Sequence, residues 1–368
     1  MKKSQVILGL VVLAALAALL FWGRNRIHFD FGVFRAQLAH ADWRKIALSA
    51  ACIYFAYAFR SVRWAQLLKH NKKVAPFSLL GTQVIGFTAV ALIGRVADPV
   101  RPYLVAKKTG LPLSSQIAVY IVERLFDAGS MALIFSVAML WVPYSDVMRA
   151  TSHSHMVSAL GAQSPALAAF AARYGGLLLT LLGALFLVAV RLAGNTVASI
   201  TEHTFGLFSK KLGLAAGEKI RAFHAGLDTM RTFAEFAVTA GLSIAMWVLI
   251  AAAYFVGVQA FSASPELAAI TPSKCVLLMV ASGGASIFQL PILGWFTQIG
   301  IVAAALTGLF GVNPEAATAC ATVLLLTTFL GIVPVGLIWA QLEHVSLRKV
   351  TVESEHAGEE LPKQETVH

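Results

Sequence analysis

Three ionisable side chains, Glu123, Arg124 and Asp127, stand close together in the otherwise apolar run SSQIAVYIVERLFDAGSMALIFSVAMLW. At the centre of a bilayer each such charge costs roughly 2.5–3.5 kcal/mol, so three unpaired ones cost on the order of 7–10 kcal/mol. Something must pair or solvate them. Ser114 or Ser115 is the expected N-cap of a helix that runs to Val142, with Pro143 as its stop. Glu123 then lies about 13 Å into that helix, near mid-membrane. Glu123 and Asp127 are four apart and share a face, while Arg124 and Asp127 are three apart and can pair. One Arg–Asp pair leaves a carboxylate over, which needs a cation from elsewhere. Two readings stay open: a self-contained charge cluster that locks helices together, or a site where Arg124 holds a phosphate-bearing headgroup while the carboxylates balance it.

The nearest cations precede the helix. In GRVADPVRPYLVAKKTG, Arg95 and Arg101 flank Asp98-Pro99, and Pro102 follows at once. Prolines on both sides stiffen the backbone around Arg101, and a guanidinium suits bidentate phosphate recognition better than an ammonium. Arg101 is therefore the expected substrate contact, whereas Lys107 and Lys108 read as decoration of a cytoplasmic loop. A second polar, break-prone stretch holds Ser282, Gly283, Gly284, Ser286, Gln289, Pro291 and Gln298. Gln289 and Gln298 are expected to line a cavity. The small residues there either expose N–H groups to an anion or simply allow close helix packing.

The chain that must position these groups has 368 residues, 58% hydrophobic and only 13% charged, with a mean hydropathy of +0.75. Soluble domains carry about 25% charged residues, so the fold class is an all-α polytopic membrane protein. Six to eight transmembrane helices are expected. Cys52, Cys275 and Cys320 lie in apolar segments without metal or disulfide spacing and read as small buried hydrophobes. The net charge of +11 reads as basic cytoplasmic loops that attract anionic lipid headgroups, not as nucleic-acid binding.

Val6–Trp22 reads as an uncleaved anchor. Residues 45–62 span inward and end at Arg60 and Arg63, with Lys69, Lys72 and Lys73 beyond, the strongest cytoplasmic marker in the chain. Phe77–Ile93 has basic flanks on both sides, a conflict that a re-entrant hairpin from the cytoplasm resolves. Residues 144–172 form an outside loop, in which His153 and His155 lack a third metal ligand. Tyr174–Leu192 returns inward. The link to Glu235 carries an amphipathic helix through Ile220, Phe223, Leu227, Met230 and Phe233, lying on the leaflet or packed on the protein. Phe236–Val258 crosses outward. Segment 275–310 is two short apolar halves, a hairpin from the outside. Residues 315–341 cross inward. The membrane domain is thus expected over 1–350, with a disordered acidic tail over 351–368 and both termini cytoplasmic. Trp22, Trp43, Trp64, Trp141 and Trp339 fall near predicted segment ends, while Trp247 and Trp295 do not.

Each half then reads as span, hairpin, span, with opposite directions, an inverted pair of the kind that binds substrate at mid-membrane in secondary transporters. No nucleophile–base constellation, P-loop or dinucleotide fingerprint accompanies it, so neither an enzyme, a cofactor nor a metal is expected.

The run GRVADPVRPYLVAKKTGLPLSSQIAVYIVERLFD resembles the signature of the flippase-like membrane domain of lysylphosphatidylglycerol synthases. SIFQLPILGWFTQIG and PEAATACATVLLLTTFLGIVPVGLIWAQLEHVSLRK are similar to its closing segment. The resemblance covers about residues 5–350. Family members usually have Gly-Glu where Ala97-Asp98 stands, which would pass an acidic role to Asp98. They tend to have a glycine-rich break where Pro291-Ile292-Leu293-Gly294-Trp295 stands, so this chain lacks glycines that would support a backbone–anion contact there. The aminoacyl-transferase domain of full synthases has no counterpart after residue 350, which argues against lipid aminoacylation. The resemblance implies a bacterial inner-membrane protein that moves an anionic phospholipid or lipid-linked amphiphile between leaflets. The expected binding residues are Arg95, Asp98, Arg101, Glu123, Arg124, Asp127, Gln289 and Gln298. The rival expectation is a non-transporting scaffold that docks a separate synthase or glycosyltransferase.

Overall fold

The computed structural model of the chain describes residues 29–143, 170, 174–207, 209–227, 232–285, 293–347, 350–351 and 353–354. The Val6–Trp22 run, His153, His155, Met230, Gln289 and Pro291 fall outside them, as does the tail beyond Ser354. Every regular element described is helical. A short α1 (Phe31–Ala39) leads into α2 (Trp43–Leu68), capped by Asp42, whose carboxylate accepts from the N–H groups of Arg44 and Lys45. Next come α3 (Pro76–Ile93), a short 3-10 turn over Arg95–Ala97, α4 (Val100–Thr109) and α5 (Leu113–Trp141).

α2 runs two turns past the expected end at residue 62. Apolar residues continue after the arginines, and Trp64, Leu67 and Leu68 bury almost completely in a cluster with Leu79, Val105, Val119 and Val122. Arg60 and Arg63 are therefore not a flank at the membrane surface; they lie inside the helix. The α5 cap also differs from expectation. Its N-cap is Pro112, and Ser114 and Ser115 sit in the first turn.

Polar contacts fix which helix ends lie together. Lys69 and His70, at the end of α2, meet Glu235 near the start of α8 (Phe233–Val258) at 2.8 and 2.9 Å. Lys72 donates to the Thr109 carbonyl at 2.5 Å, so α4 returns the chain to the side where α3 began. Trp64 donates to Gln116 at the start of α5. Lys108 reaches Glu343, just past α13 (Ile332–Leu342), at 2.7 Å. This basic side thus holds both ends of the α3–α4 hairpin.

The opposite side gathers the other ends. Lys45 donates to the Gln259 carbonyl at the end of α8. Between α8 and the second hairpin lies the one-turn α9 (Pro265–Ala268). The second hairpin comprises α10 (Pro272–Ala285) and α11 (Leu293–Phe310), with Lys274 over the Phe310 ring, so its two ends also lie together. α12 (Pro314–Leu325) starts on this side and continues through a π turn, Leu326–Leu330, into α13. The hairpins enter from opposite sides and meet: the Trp295 indole N–H of α11 donates to the Ala91 carbonyl of α3 at 3.0 Å.

α2 therefore runs toward the basic side and α5 away from it, while α8 runs away and the α12–α13 unit toward it, the opposed order that the sequence implied for the two halves. Among the described residues, Pro76–Ile93, Phe233–Val258 and Pro314–Leu342 are long and apolar enough to cross a bilayer. The bent pair Gly176–Gly183 and Val188–Gly206 makes a fourth if it is one span. α2 and α5, at 26 and 29 residues, extend ~39 and ~43 Å but carry buried charges along their apolar length. The outlying α6 (Gly176–Gly206) is kinked at the non-helical Ala193, directly after the expected end at Leu192, and a helix resumes beyond it. α7 (Lys210–Leu227) folds back on it, with Arg221 bonded to Glu202. Ile220 packs on the cluster around Trp64, so α7 is packed on protein.

One further expectation is corrected. Trp64 is fully buried, because its ring lies beside the Arg101 guanidinium and its N–H has a partner in Gln116. Packing continues past residue 350. Val350 buries against Val100 and Leu104, Ser354 is buried, and Tyr103 donates to Glu353 at 2.9 Å.

Candidate functional site

α2 and α5 place their charges across from each other. On α2, Arg60 and Arg63 are three apart; on α5, Glu123 and Asp127 are four apart, so each pair projects to one side of its helix. Arg60 Nη1 lies 3.3 Å from Glu123 Oε1 and 3.2 Å from Asp127 Oδ2. Arg63 Nη1 donates to Asp127 Oδ1 at 2.6 Å and to Ser243 Oγ at 2.8 Å, and its Nη2 lies 3.2 Å from Glu123. Arg101 Nη2 donates to Glu123 at 2.8 Å. Arg124 pairs with its neighbour Glu123 and reaches Asp127 at 2.8 Å. The Trp247 indole adds a 3.4 Å contact to Asp127.

Four arginines therefore face two carboxylates. All four converge on Glu123 Oε1, while its Oε2 has no hydrogen-bond partner among the described residues. Further N–H groups are buried without a hydrogen-bond partner among the described residues: Arg63 Nε, Arg101 Nε and Nη1, and Arg124 Nε. Aromatic faces supply part of what water would have supplied. Phe87 lies under both Arg101 (4.4 Å) and Arg60 (4.8 Å), and Tyr120 lies under Arg101 and Arg124, each at 5.2 Å. Arg101 reaches Glu123 past Gly86 of α3, where any Cβ would collide with the Arg101 stem.

The cluster floors a cleft of about 200 Å³. Its walls come from α2 (Ala56, Tyr57, Arg60), the tip of the first hairpin (Phe87, Arg95, Asp98), α8 (Trp247, Tyr254), the second hairpin (Ser282, Gln298) and the π turn (Thr328, Phe329). π turns are rare and often mark functional positions. Here Pro334, which has no N–H to offer the carbonyl four residues back, breaks the helix. Tyr54 and Thr88 then donate to the Gly331 and Ile332 carbonyls around the break. A larger groove lined by Lys45, Leu48, Phe255 and Gln259 lies at the opposite end of α2, away from the charges.

Glu123, Arg124 and Asp127 come together as their spacing implied. Arg124 is the most open cation of the cluster, with 31% of its side chain exposed, and Arg60 keeps 9%. Arg95 and Asp98 pair with each other at 3.6 Å on the cleft wall. Arg101 is placed differently from its expected presentation to substrate: it is 1% exposed and held behind the cleft by Glu123. Gln298 lines the cleft and donates through Nε2 to Ser282 Oγ at 2.5 Å, and that hydroxyl also accepts from Tyr254. Gln289 lies outside the described residues. Arg60 and Arg63 belong to the cluster although their position at the end of an apolar run reads as surface decoration. The signal that could have found them is the apolar continuation Trp64, Ala65, Leu67, Leu68, which keeps both inside the helix.

A family described as Lysylphosphatidylglycerol synthase TM region matches residues 6–336 of the chain. No curated protein and no solved structure matches it.

Proposed function

The chain belongs to the lysylphosphatidylglycerol synthase TM-region family, and on that premise we propose that it moves an anionic phospholipid or lipid-linked amphiphile between leaflets. One observation carries the reading: a buried cluster with two more cations than anions floors a cleft where two opposed hairpins meet. A buried charge without a partner is expensive, and an anionic headgroup supplies the partner. In this mechanism Arg60 and Arg124 meet the headgroup, Arg63 and Arg101 hold the carboxylates from behind, and the acyl chains stay in lipid. Glu123 and Asp127 keep the guanidiniums together when no headgroup is present. Separation of the hairpin tips, now joined through Trp295 and Ala91, then exposes the cleft to the other leaflet. The basic side is assigned to the cytoplasm of a bacterial inner membrane, with both termini there, because Lys and Arg gather on that face.

The test is purified protein in liposomes with a fluorescent phosphatidylglycerol whose leaflet is read by a membrane-impermeant quencher. The wild-type protein accelerates exchange between leaflets, and Arg124→Glu, which brings the cluster to zero net charge, abolishes it while the variant still purifies as a single species. No acceleration by the folded wild-type protein defeats the transport reading and leaves a scaffold for a separate synthase or glycosyltransferase.

A further inference from the structure

We infer that the cleft is matched to a headgroup carrying two negative charges on one phosphate-containing group, a phosphomonoester or a diphosphate, in preference to a singly charged phosphodiester. The inference rests on the transport reading above and deepens it. Its basis is the charge of the cluster. Four guanidiniums and two carboxylates form one ion-paired cluster, which leaves two positive charges uncompensated among the described residues. The other charged pair on the cleft wall, Arg95 with Asp98, is neutral as a unit. A monoanion leaves one positive charge in a low-dielectric site, and a dianion leaves none.

The geometry agrees with the count. Arg60 and Arg124 both line the cleft, and each is already anchored to Asp127 Oδ2, at 3.2 and 2.8 Å. Two guanidiniums tethered to one oxygen offer adjacent, fixed donors, which suits several oxygens on one phosphorus better than the two free oxygens of a diester. Arg124 Nε, buried beside them, has no hydrogen-bond partner among the described residues. The opposite wall, with Tyr254, Ser282, Gln298 and Thr328, carries hydroxyls and an amide but no charge. It offers nothing to favour a cationic headgroup over a neutral one.

The experiment uses the full chain in phosphatidylcholine vesicles, each doped with one labelled lipid: phosphatidic acid, phosphatidylglycerol or phosphatidylcholine. At about pH 8 phosphatidic acid should move about tenfold faster than phosphatidylglycerol, the ratio that 1.4 kcal/mol produces, and phosphatidylcholine slowest. The second phosphate ionisation lies near pH 6, so the advantage of phosphatidic acid should shrink toward unity at about pH 5. Arg124→Gln, which lowers the excess charge by one, should reduce the phosphatidic acid to phosphatidylglycerol ratio by about the same factor. Arg60→Gln provides a second charge step should Arg124→Gln fail to fold. Equal rates for the two anionic lipids, or a ratio independent of pH, overturn this inference while the transport reading stands. Movement of none of the lipids overturns the transport reading itself. Thermal stabilisation by inorganic phosphate without movement of phosphatidic acid identifies a site for the free anion and overturns the lipid assignment.

Discussion

Arg63 and Arg124 both pair with the same two carboxylates, yet their environments assign them different work. Arg63 is almost wholly buried and gives Asp127 its shortest contact, 2.6 Å. Removing one partner from a buried pair typically costs about 3–5 kcal/mol, because the other charge is left uncompensated. Arg63→Ala should therefore lower the unfolding midpoint in detergent by far more than Arg124→Ala, whose side chain is 31% exposed and can be replaced by water. If both variants destabilise equally, the distinction between a supporting and a substrate-facing arginine fails. Glu123, Arg124 and Asp127 were legible from the sequence because charge inside an apolar run needs a reason. Arg60 and Arg63 were not, since a charge at the apparent end of a span satisfies the positive-inside pattern without any partner.

Between elements, α3 and α4 approach closely where Gly86 leaves room for the Arg101 stem. Gly86→Ala forces that stem away from Glu123, and overpacking of this kind costs about 1–3 kcal/mol. Gly129 of α5 makes the control: among the described residues, nothing beyond its chain neighbours and its own helix backbone lies within 4 Å of its Cβ position, so Gly129→Ala should be neutral or stabilising by about 0.5–1 kcal/mol. Thermal unfolding of the two variants side by side checks the pair, and similar losses in both would mean that Gly86 is not a packing constraint. The helix assignments from the sequence largely hold at this scale, for apolar runs bounded by Asp42, Pro76 or Pro314 declare their own ends. The length of α2 does not, because only the packing of Trp64, Leu67 and Leu68 in three dimensions carries it beyond Arg63.

For the whole molecule, the two hairpins make a labelling prediction. In a background lacking Cys52, Cys275 and Cys320, single cysteines at Lys73 and Lys107 should react with an impermeant maleimide from one side of the membrane. Cysteines at Thr271 and Asn313 should react from the other. All four positions are exposed. Labelling of Lys73 and Lys107 from opposite sides would turn the first hairpin into a full crossing and remove the inverted arrangement. The sequence by itself determined that the chain is helical and membrane-embedded, and that mid-segment charges need partners. These follow from local hydropathy, flanking charge and the period of a helix. Only the tertiary structure decided which partners those are. Arg60 and Arg63 stand some sixty residues before Glu123 and Asp127, and no local rule of periodicity or charge registers a pairing made across two helices. It likewise decided that Arg101 lies behind the cleft and Arg124 before it, because burial depends on what the neighbouring hairpin covers.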